Sequence, residues 1–358
     1  MQKVQLRDSV ASEQSENISL LPVPQAVRVA IVGATGYAGA ELTTILARHR
    51  HASIAALYSS TGGATAPVSP SRPDLVAEPF AIEKLIDARP NVAFLATPNE
   101  VSAELVPKLL DAGIRVIDLS GAFRLQDPAL YPTWYGFEHH HPELLKEAVY
   151  GLTEFCNGDL VKARLVANPG CYPISILLAL RPLTYLIDRS QTVICDSKSG
   201  VSGAGKKSDL AWSFAEVSGN FKAYSVGSHR HEPEIRSGLR LGDRVSLVFV
   251  PHLLPTIRGI LSTMHVGFDR PVTADEITSI FQSTFANAPF VRVMPHGVLP
   301  ELKNVVNTPR AEIGFTLLQG GRRAVVVSVL DNLLKGASSQ AVQNFNRMCG
   351  YDEVEGLL

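Results

Sequence analysis

Cysteine is scarce in this chain. Its 358 residues contain four, Cys156, Cys171, Cys195 and Cys349, and none of them belongs to a Cys-x-x-Cys pair. The scarcity argues against a disulfide-stapled scaffold and against a cysteine-based zinc site. Because free thiols persist in reducing compartments, we predict a cytoplasmic protein.

The sequence also lacks an excess of one charge and any long apolar run. With 33 basic and 34 acidic residues, its formal net charge is −1, so no global field favours nucleic acid or an anionic membrane. No apolar stretch reaches the roughly 18 residues that a membrane-spanning helix needs. We therefore expect small-molecule partners, no nucleic acid and no membrane. Residues 1–26 are polar and contain three acids, unlike signal or transit peptides, which predicts a flexible extension.

A glycine-rich turn follows the first predicted strand. Val27 to Val32 form a mostly apolar run typical of a buried parallel strand, and three glycines with the spacing GxxGxxG come next, before a helical pattern. In this context the glycines permit a tight turn and the close approach of a pyrophosphate to a helix N-terminus. The alternative is that they serve only close helix packing. The predicted dinucleotide contacts in this turn are Gly33, Thr35, Gly36, Tyr37 and Gly39.

The end of the second strand, "ASIAALYSS", bears on the choice of cofactor. Folds that bind NAD usually place an acid here for the ribose hydroxyls, whereas this chain has Ser59 and Ser60. Without a carboxylate to repel a 2′-phosphate, the serines favour NADP(H) over NAD. Arg72 either assists them or is a solvated loop residue. Pro98, after the strand "NVAFLAT", is expected where ligands gather in such sheets.

The order of predicted elements indicates two α/β architectures. Strands and helices alternate up to about residue 170, which predicts a doubly wound, Rossmann-type sheet. "TVICDSKSG", "RVSLVFV", "GILSTMHVGF" and "RRAVVVSVL" then predict an α+β domain with a mixed or antiparallel sheet. A final amphipathic helix is expected to return to the first sheet. We predict an NADP-binding domain of residues 27–170 and 331–358, and a catalytic and oligomerisation domain of residues 171–330.

The segment "NPGCYPIS" places a cysteine where a strand gives way to a helix. If the helix begins here, Cys171 lies at its N-terminus, where the helix dipole and free amides stabilise a thiolate and could hold an oxyanion. The alternative is a buried cysteine that acts as a small hydrophobe. We keep that alternative for the other three cysteines and predict catalysis for Cys171.

Two histidine-rich segments offer proton partners for a thiol. "HHH" at 139–141 is most simply an exposed loop, and no metal site is expected, because consecutive residues seldom converge on one ion. "HRHEPEI" is more informative, because Arg230, Glu232 and Glu234 provide charged partners that could orient its histidines. If it is extended, His229 and His231 point to opposite faces and one faces the active site. The alternative is a solvated charged loop with two incidental histidines.

Five motifs together carry a family resemblance. "GATGYAG", "NPGCYP", "SGVSGAG", "HRHEPEI" and "DNLLKGASSQAVQN", in that order, closely resemble the N-acetyl-gamma-glutamyl-phosphate reductase family, NADP-dependent enzymes of arginine biosynthesis. The aspartate-semialdehyde dehydrogenases, with a similar two-domain plan, are the nearest alternative. The resemblance implies Cys171 as nucleophile and His231 as acid/base, with His229 as second choice. It also implies that Ser202, Gly203 and Asn332 lie near the cofactor.

The implied reaction runs through a Cys171 thioester, which accepts hydride from NADPH more readily than a carboxylate does. Arg124, in "GAFRL", is the candidate for the substrate phosphate or carboxylate, with a surface ion pair as the alternative. His229 is a second candidate substrate contact. The chain departs from the family pattern at Lys206, where arginine is expected. The strand-rich second domain suggests a homodimer or homotetramer.

Two other classes of function can be compared with this one. A short-chain reductase would carry a Tyr-x-x-x-Lys pair, and no tyrosine in this chain has lysine four residues later. A non-catalytic NADPH sensor would keep the glycine turn without needing a reactive thiol.

Overall fold

The computed structural model describes residues 26–59, 65–156, 158–206, 213–242 and 245–358. Ser60 of the predicted cofactor set, and residues 1–25 of the predicted extension, lie outside the described residues. Within the described ranges, none of the helices combines the length and the apolar character needed to cross a membrane.

Eight strands form the first sheet. They are β1 (Val27–Val32), β2 (Ala52–Ser59), β3 (Ala66–Ser69), β4 (Arg72–Pro79), β5 (Val92–Leu95), β6 (Arg115–Asp118), β7 (Val149–Tyr150) and β8 (Leu165–Ala167). Their spatial order is β3-β4-β2-β1-β5-β6-β8-β7, and every pairing except that of β3 with β4 is parallel. The order of strands reverses between β1 and β5. A ligand crevice is therefore expected outside the carboxyl ends of these two strands.

Helices cover both faces of this sheet. They are α1 (Tyr37–Leu46), α2 (Ile82–Asp87), α3 (Asn99–Asp111), α4 (Tyr131–Tyr135), α5 (Pro142–Glu147) and α6 (Asp159–Lys162). The apolar residues of α1 pack with alternate residues of β1 on one face, and those of α3 pack on the other. Since residues 29–32 of β1 are buried from both sides, the apolar run at the end of this strand has a structural cause.

The second sheet is mixed. Its strands are β9 (Val193–Gly200), β10 (Lys222–Ala223), β11 (Leu247–Leu254), β12 (Ile260–Gly267), β13 (Val291–Val293), β14 (Ala311–Leu318) and β15 (Arg323–Leu330), in the order β10-β11-β9-β12-β15-β14-β13. Among the described strands of this second sheet, the parallel pairs are β9 with β11 and β13 with β14; the other pairs are antiparallel. The predicted fold class, a Rossmann-type sheet joined to a mixed one, is confirmed.

Four helices belong to the described part of the segment that forms this second sheet. They are α7 (Cys171–Leu180), α8 (Phe214–Val217), α9 (His231–Leu239) and α10 (Ala274–Thr284). The first of them, α7, is buried along almost its whole length and packs against β12 and β15. The opposite face of the sheet carries partly exposed apolar side chains such as Ile194 and Val248. Exposed apolar side chains on a sheet face are removed from water only when another surface packs against them.

The chain ends with a helix that packs on the first sheet. A π-helical turn, Leu334–Ser338, leads into α11 (Ser339–Cys349), and Phe345 of α11 contacts Phe94 of β5 with ring centroids 5.7 Å apart. The sequence predicts an amphipathic helix, but the polar side of α11 is buried as well. Asn344, for example, donates to the Gly151 carbonyl at 2.8 Å and to Asn168 Oδ1 at 3.0 Å. Loops of the first sheet therefore replace water around this helix.

Three local predictions need correction. Residues 66–79 form the hairpin of β3 and β4 at the sheet edge, so Arg72 lies in a strand rather than a loop, and it forms a bidentate pair with Asp74. "HRHEPEI" is not extended, because α9 begins at His231. The triple histidine is not an exposed loop throughout, since His139 is buried against the rings of Tyr131 and Phe123.

Candidate active site

The glycine turn after β1 contains two glycines that the fold requires and one that it does not. Gly33 has φ +86°, and a Cβ there would lie 2.2 Å from the Ala96 carbonyl oxygen; a Cβ on Gly39 would lie 2.1 Å from the Gly33 carbonyl oxygen. The fold itself requires both. Gly36 has an ordinary φ of −73° and its Cβ would meet nothing closer than 3.4 Å. Its lack of a side chain instead leaves the backbone open to a ligand at the N-terminus of α1, which fits a dinucleotide pyrophosphate.

The other cofactor candidates of the first sheet differ in how exposed they are and in how near they lie to this turn. Thr35 lies in the turn itself and Tyr37 is exposed at the start of α1. Pro98 is exposed just before α3, at the carboxyl end of β5, beside the crevice. Ser59 is only 8% exposed, and its hydroxyl donates to the Glu78 carbonyl at 3.4 Å. That hydroxyl is thus directed at β4, and its contact with a 2′-phosphate stays a prediction.

The candidates from the second half of the chain meet one another. The Asn332 side chain is buried, donates to Ser202 Oγ at 2.9 Å and accepts from the Gly259 N–H at 2.7 Å. A Cβ on Gly203 would lie 3.8 Å from Asn332 Nδ2. The loop that holds Ser202 and Gly203 also reaches the glycine turn, because Lys206 Nζ donates to the Thr35 carbonyl at 3.4 Å.

Residues 331–338 connect this cluster to Cys171 and to the glycine turn. A Cβ on Gly336 would lie 2.9 Å from the Cβ of Cys171, so only glycine allows this approach. Ser338 Oγ donates to the Ala38 carbonyl in α1 at 2.8 Å. Gly336 and Ser338 both belong to the short π-helix that precedes α11, and π-helical turns often mark functional sites.

Cys171 is the first residue of α7, as the sequence predicts, and it borders a cavity of about 370 Å³. Burial raises the pKa of its thiol to about 11, and the Arg124 guanidinium, the Tyr172 N–H and Arg230 only partly oppose this. The sequence predicts a stabilised thiolate at the helix N-terminus. In the structure desolvation outweighs the helix, so the resting group is the thiol.

His229 and His231 line the same cavity, with ring centroids 4.8 Å apart. A Cβ on Gly170 would lie 2.5 Å from His231 Nε2, which places this nitrogen beside the residue that precedes Cys171. The His231 N–H donates to His229 Nδ1 at 3.1 Å. The expectation that only one of the two faces the site is wrong, because the chain turns into α9 at this point.

Both imidazoles are neutral near pH 7. Burial lowers the pKa of His229 to about 4, with Arg230 adding to the effect. Burial, His229, Arg124 and Arg230 together hold the pKa of His231 well below its usual value. His231 Nδ1 is buried and, among the described residues, has no hydrogen-bond partner. A neutral imidazole next to a thiol is equipped to accept the thiol proton.

Arg124 is not the surface ion pair that the sequence allows. Its side chain is 7% exposed and pairs with Glu234, 1% exposed, at 3.2 Å. Its guanidinium also donates to the carbonyls of Asn168 at 2.9 Å and Leu119 at 2.8 Å. A Cβ on Gly170 would lie 2.8 Å from Arg124 Nη1, so the charge sits beside the turn that presents Cys171.

Known proteins resemble both halves of this arrangement. Residues 28–163 match the semialdehyde dehydrogenase NAD-binding domain, and residues 171–332 match the semialdehyde dehydrogenase dimerisation domain. The N-acetyl-gamma-glutamyl-phosphate reductase of Halorhodospira halophila is 45% identical over 342 residues, covering 92% of this chain and 98% of that protein. The reductase of Bacillus subtilis is 43% identical with the same coverage. The chain belongs to the N-acetyl-gamma-glutamyl-phosphate reductase family. The predicted resemblance and enzyme class are confirmed.

Solved structures share the fold of this reductase family member at much lower identity. Aspartate semialdehyde dehydrogenase II of Vibrio cholerae, solved in complex with ASA, has a TM-score of 0.67 at 17% identity and covers 90% of this chain and 98% of its own. Aspartate semialdehyde dehydrogenase of Candida albicans, solved with NADP, has a TM-score of 0.66 at 14% identity and covers the same shares. At these identities the likeness supports the two-domain fold alone.

Sequence reasoning on this reductase family member missed several aromatic residues of the site. Trp134 and Tyr224 line the cavity, and the Tyr150 hydroxyl donates to Glu234 at 2.8 Å. Glu234, which the sequence offers as a charged partner of the two histidines, joins Arg124 to the Gly170 turn. The described residues contain no cluster of three His, Cys, Asp or Glu suited to a metal ion.

Proposed function

We propose that the chain reduces N-acetyl-gamma-glutamyl phosphate to N-acetylglutamate 5-semialdehyde with release of phosphate, in cytoplasmic arginine biosynthesis, with NADPH as the reductant. One observation carries the proposal. Cys171 and His231 line one cavity, with His231 Nε2 beside Gly170, the residue before Cys171, and residues 331–338 join this point to the dinucleotide turn. The curated relatives, which carry this activity in their names, support the choice of substrate.

Acylation begins with a proton transfer inside the site. The thiol proton moves from Cys171 Sγ to His231 Nε2, which belongs to a neutral, buried imidazole that lines the same cavity. The thiolate attacks the acyl carbon, the carbon–oxygen bond to phosphate breaks, and phosphate leaves with the electron pair. Pro173 has no amide, so the amides of Cys171 and Tyr172 are the donors that the first turn of α7 would offer to the oxyanion.

Reduction then releases the aldehyde. NADPH, when bound, supplies the hydride that a thioester accepts. Gly36 and the first turn of α1 would hold its pyrophosphate, and Ser202 and Asn332 would border it from the other side. When the thiolate is expelled, His231 Nε2 returns the proton to Cys171 Sγ. The histidine thus stores one proton between the two half-reactions.

The substrate contacts follow from the charges around the cavity. Arg230 and His229 line it directly. Arg124 has five N–H groups, three of which donate to Glu234, Asn168 and Leu119, so two remain for a substrate oxygen among the contacts of the described residues. We assign Arg124 and His229 to substrate binding on this basis.

We assign one functional domain to each of the two sheets. Residues 27–170 and 331–358 would form the NADP-binding domain, supported by the packing of α11 on the first sheet. Residues 171–330 would form the catalytic and oligomerisation domain. The exposed apolar side chains on the uncovered face of the second sheet, and the match to a dimerisation domain, support a homodimer or homotetramer built through that face.

The test is the reverse reaction. Purified protein is given NADP⁺, phosphate and either N-acetylglutamate 5-semialdehyde or aspartate semialdehyde, and reduced cofactor is followed by absorbance. We expect phosphate-dependent reduction of NADP⁺ to be at least about 100-fold more efficient with N-acetylglutamate 5-semialdehyde than with aspartate semialdehyde. A smaller substrate that lacks the acetyl group would leave polar groups of the site unpaired, and such a loss discriminates by at least this factor. A preference for aspartate semialdehyde would select the related dehydrogenase activity. Equal efficiency with NAD⁺ would remove the cofactor assignment.

A further inference from the structure

A carboxylate that belongs to neither predicted catalytic residue lies against the turn that precedes Cys171. Glu234 is 1% exposed and is held by three donors. Its Oε1 accepts from the Gly170 N–H and from the Tyr150 hydroxyl, both at 2.8 Å, and its Oε2 accepts from Arg124 at 3.2 Å. Removing a carboxylate from water costs free energy that its partners often do not fully repay. Stability alone therefore does not explain why this charge is buried here.

We propose that Glu234 is a positioning residue that fixes Cys171 relative to His231 and balances the charge of Arg124 beside the thiol. The proposal rests on the proposed function for the identity of the two reacting groups.

The geometric part follows from α9. This helix carries His231 as its first residue and Glu234 three residues later, so the two side chains belong to one rigid element. The Glu234 carboxylate binds the N–H of Gly170, which directly precedes Cys171. One hydrogen bond therefore ties the helix of the proton acceptor to the turn of the nucleophile. His231 itself receives no carboxylate, because its Nδ1 has no partner in the described residues.

The electrostatic part gives a readout that a merely structural ion pair would not. Burial raises the pKa of the Cys171 thiol, Arg124 lowers it and the Glu234 charge raises it. Glutamine at position 234 keeps the shape and removes the charge. Arg124 would then face the thiol without compensation, and the pKa of Cys171 must fall. Aspartate keeps the charge and withdraws it by one methylene from the Gly170 N–H.

The experiment measures two quantities on Glu234→Gln, Glu234→Asp and Glu232→Gln. The first is the rate of Cys171 alkylation by iodoacetamide between pH 6 and 10.5, and the second is steady-state turnover. Glu232 is the matched control, since it lies on the same helix and is partly exposed. Circular dichroism and the melting temperature establish that each variant is folded.

Charge removal and shortening should have different signatures. In Glu234→Gln, alkylation at pH 8 should be about 3- to 10-fold faster and its rise should shift to lower pH. In Glu234→Asp, the alkylation profile should stay near that of wild type while turnover falls about 10- to 100-fold, because the turn loses its anchor. Glu232→Gln should change neither quantity.

Two results would overturn the proposal. A folded Glu234→Gln variant with an unshifted alkylation profile would mean that the carboxylate does not act on the thiol. A folded Glu234→Asp variant with wild-type turnover would mean that it does not position the turn. Failure of the proposed function looks different, because wild-type protein would then lack turnover while the shift in alkylation remained measurable.

Discussion

Gly170 leaves no room for a side chain beside His231 and Arg124. An alanine there keeps an allowed backbone, since φ is −71° and ψ is 153°, so no strain arises from the main chain. Its Cβ, however, would lie 2.5 Å from His231 Nε2 and 2.8 Å from Arg124 Nη1. Non-bonded atoms are most stable about 3.5 Å apart, so the imidazole has to retreat by about 1 Å. A displacement of this size typically costs about 100-fold in rate.

We therefore expect Gly170→Ala to lower turnover about 100-fold while NADPH binding, measured by fluorescence titration, stays unchanged. The matched comparison uses a double-mutant cycle with His231→Asn, whose shorter side chain vacates the position of Nε2. In that background the alanine should cost less than about 5-fold, because the clash no longer involves the proton acceptor. Turnover of Gly170→Ala close to wild type, or an undiminished cost in the His231→Asn background, would refute the reasoning.

Three further predictions concern the reacting groups. Cys171→Ser should retain less than about 1% of turnover with NADPH affinity intact, because serine ionises far less readily than cysteine; higher turnover would contradict the covalent mechanism. His231→Asn should cut turnover about 10²- to 10⁴-fold, whereas His229→Asn should act mainly on KM, and the reverse ranking would reassign the acid/base. In the pH profile of acylation, the rate should stay flat from pH 6 to pH 9, because the proton passes inside the site from Cys171, whose pKa is raised to about 11, to His231, whose pKa lies well below its usual value. A rate that grows steadily across this range would show that the thiol loses its proton to solvent instead.

The features that were predictable from sequence depend on local periodicity. The buried strand before the glycine turn, the helix that begins at Cys171 and the mixed second sheet each arise from patterns within about ten residues. Gly33 and Gly39 are required by contacts inside their own strand-to-helix unit. Such signals survive in a single sequence because the elements that cause them are adjacent in the chain.

The features that were missed depend on distant neighbours. The pKa of Cys171 is set chiefly by burial, and the pKa of His231 by burial, by His229 and by Arg124, which lies 107 positions earlier in the chain. The ion pair of Arg124 with Glu234 spans 110 positions, and no periodicity announces it. The polar side of α11 reads as a surface, yet it is buried because residues 151–168 contact it. In each case the deciding interaction is tertiary.

The resting protonation state of the site has a physical rationale. Arg124 is neutralised by Glu234 beneath Gly170, so a lone Cys171 thiolate would be an additional buried anion. Ionisation by loss of the proton to solvent is therefore unfavourable, as the raised pKa of the thiol shows. Transfer of the same proton to His231 creates an imidazolium beside the thiolate, and the net charge of the site does not change. An acyl phosphate that enters the cavity meets a thiolate formed in this way, together with its proton store. Because oxidants attack the thiolate rather than the thiol, a Cys171 that rests as the thiol is less open to oxidation.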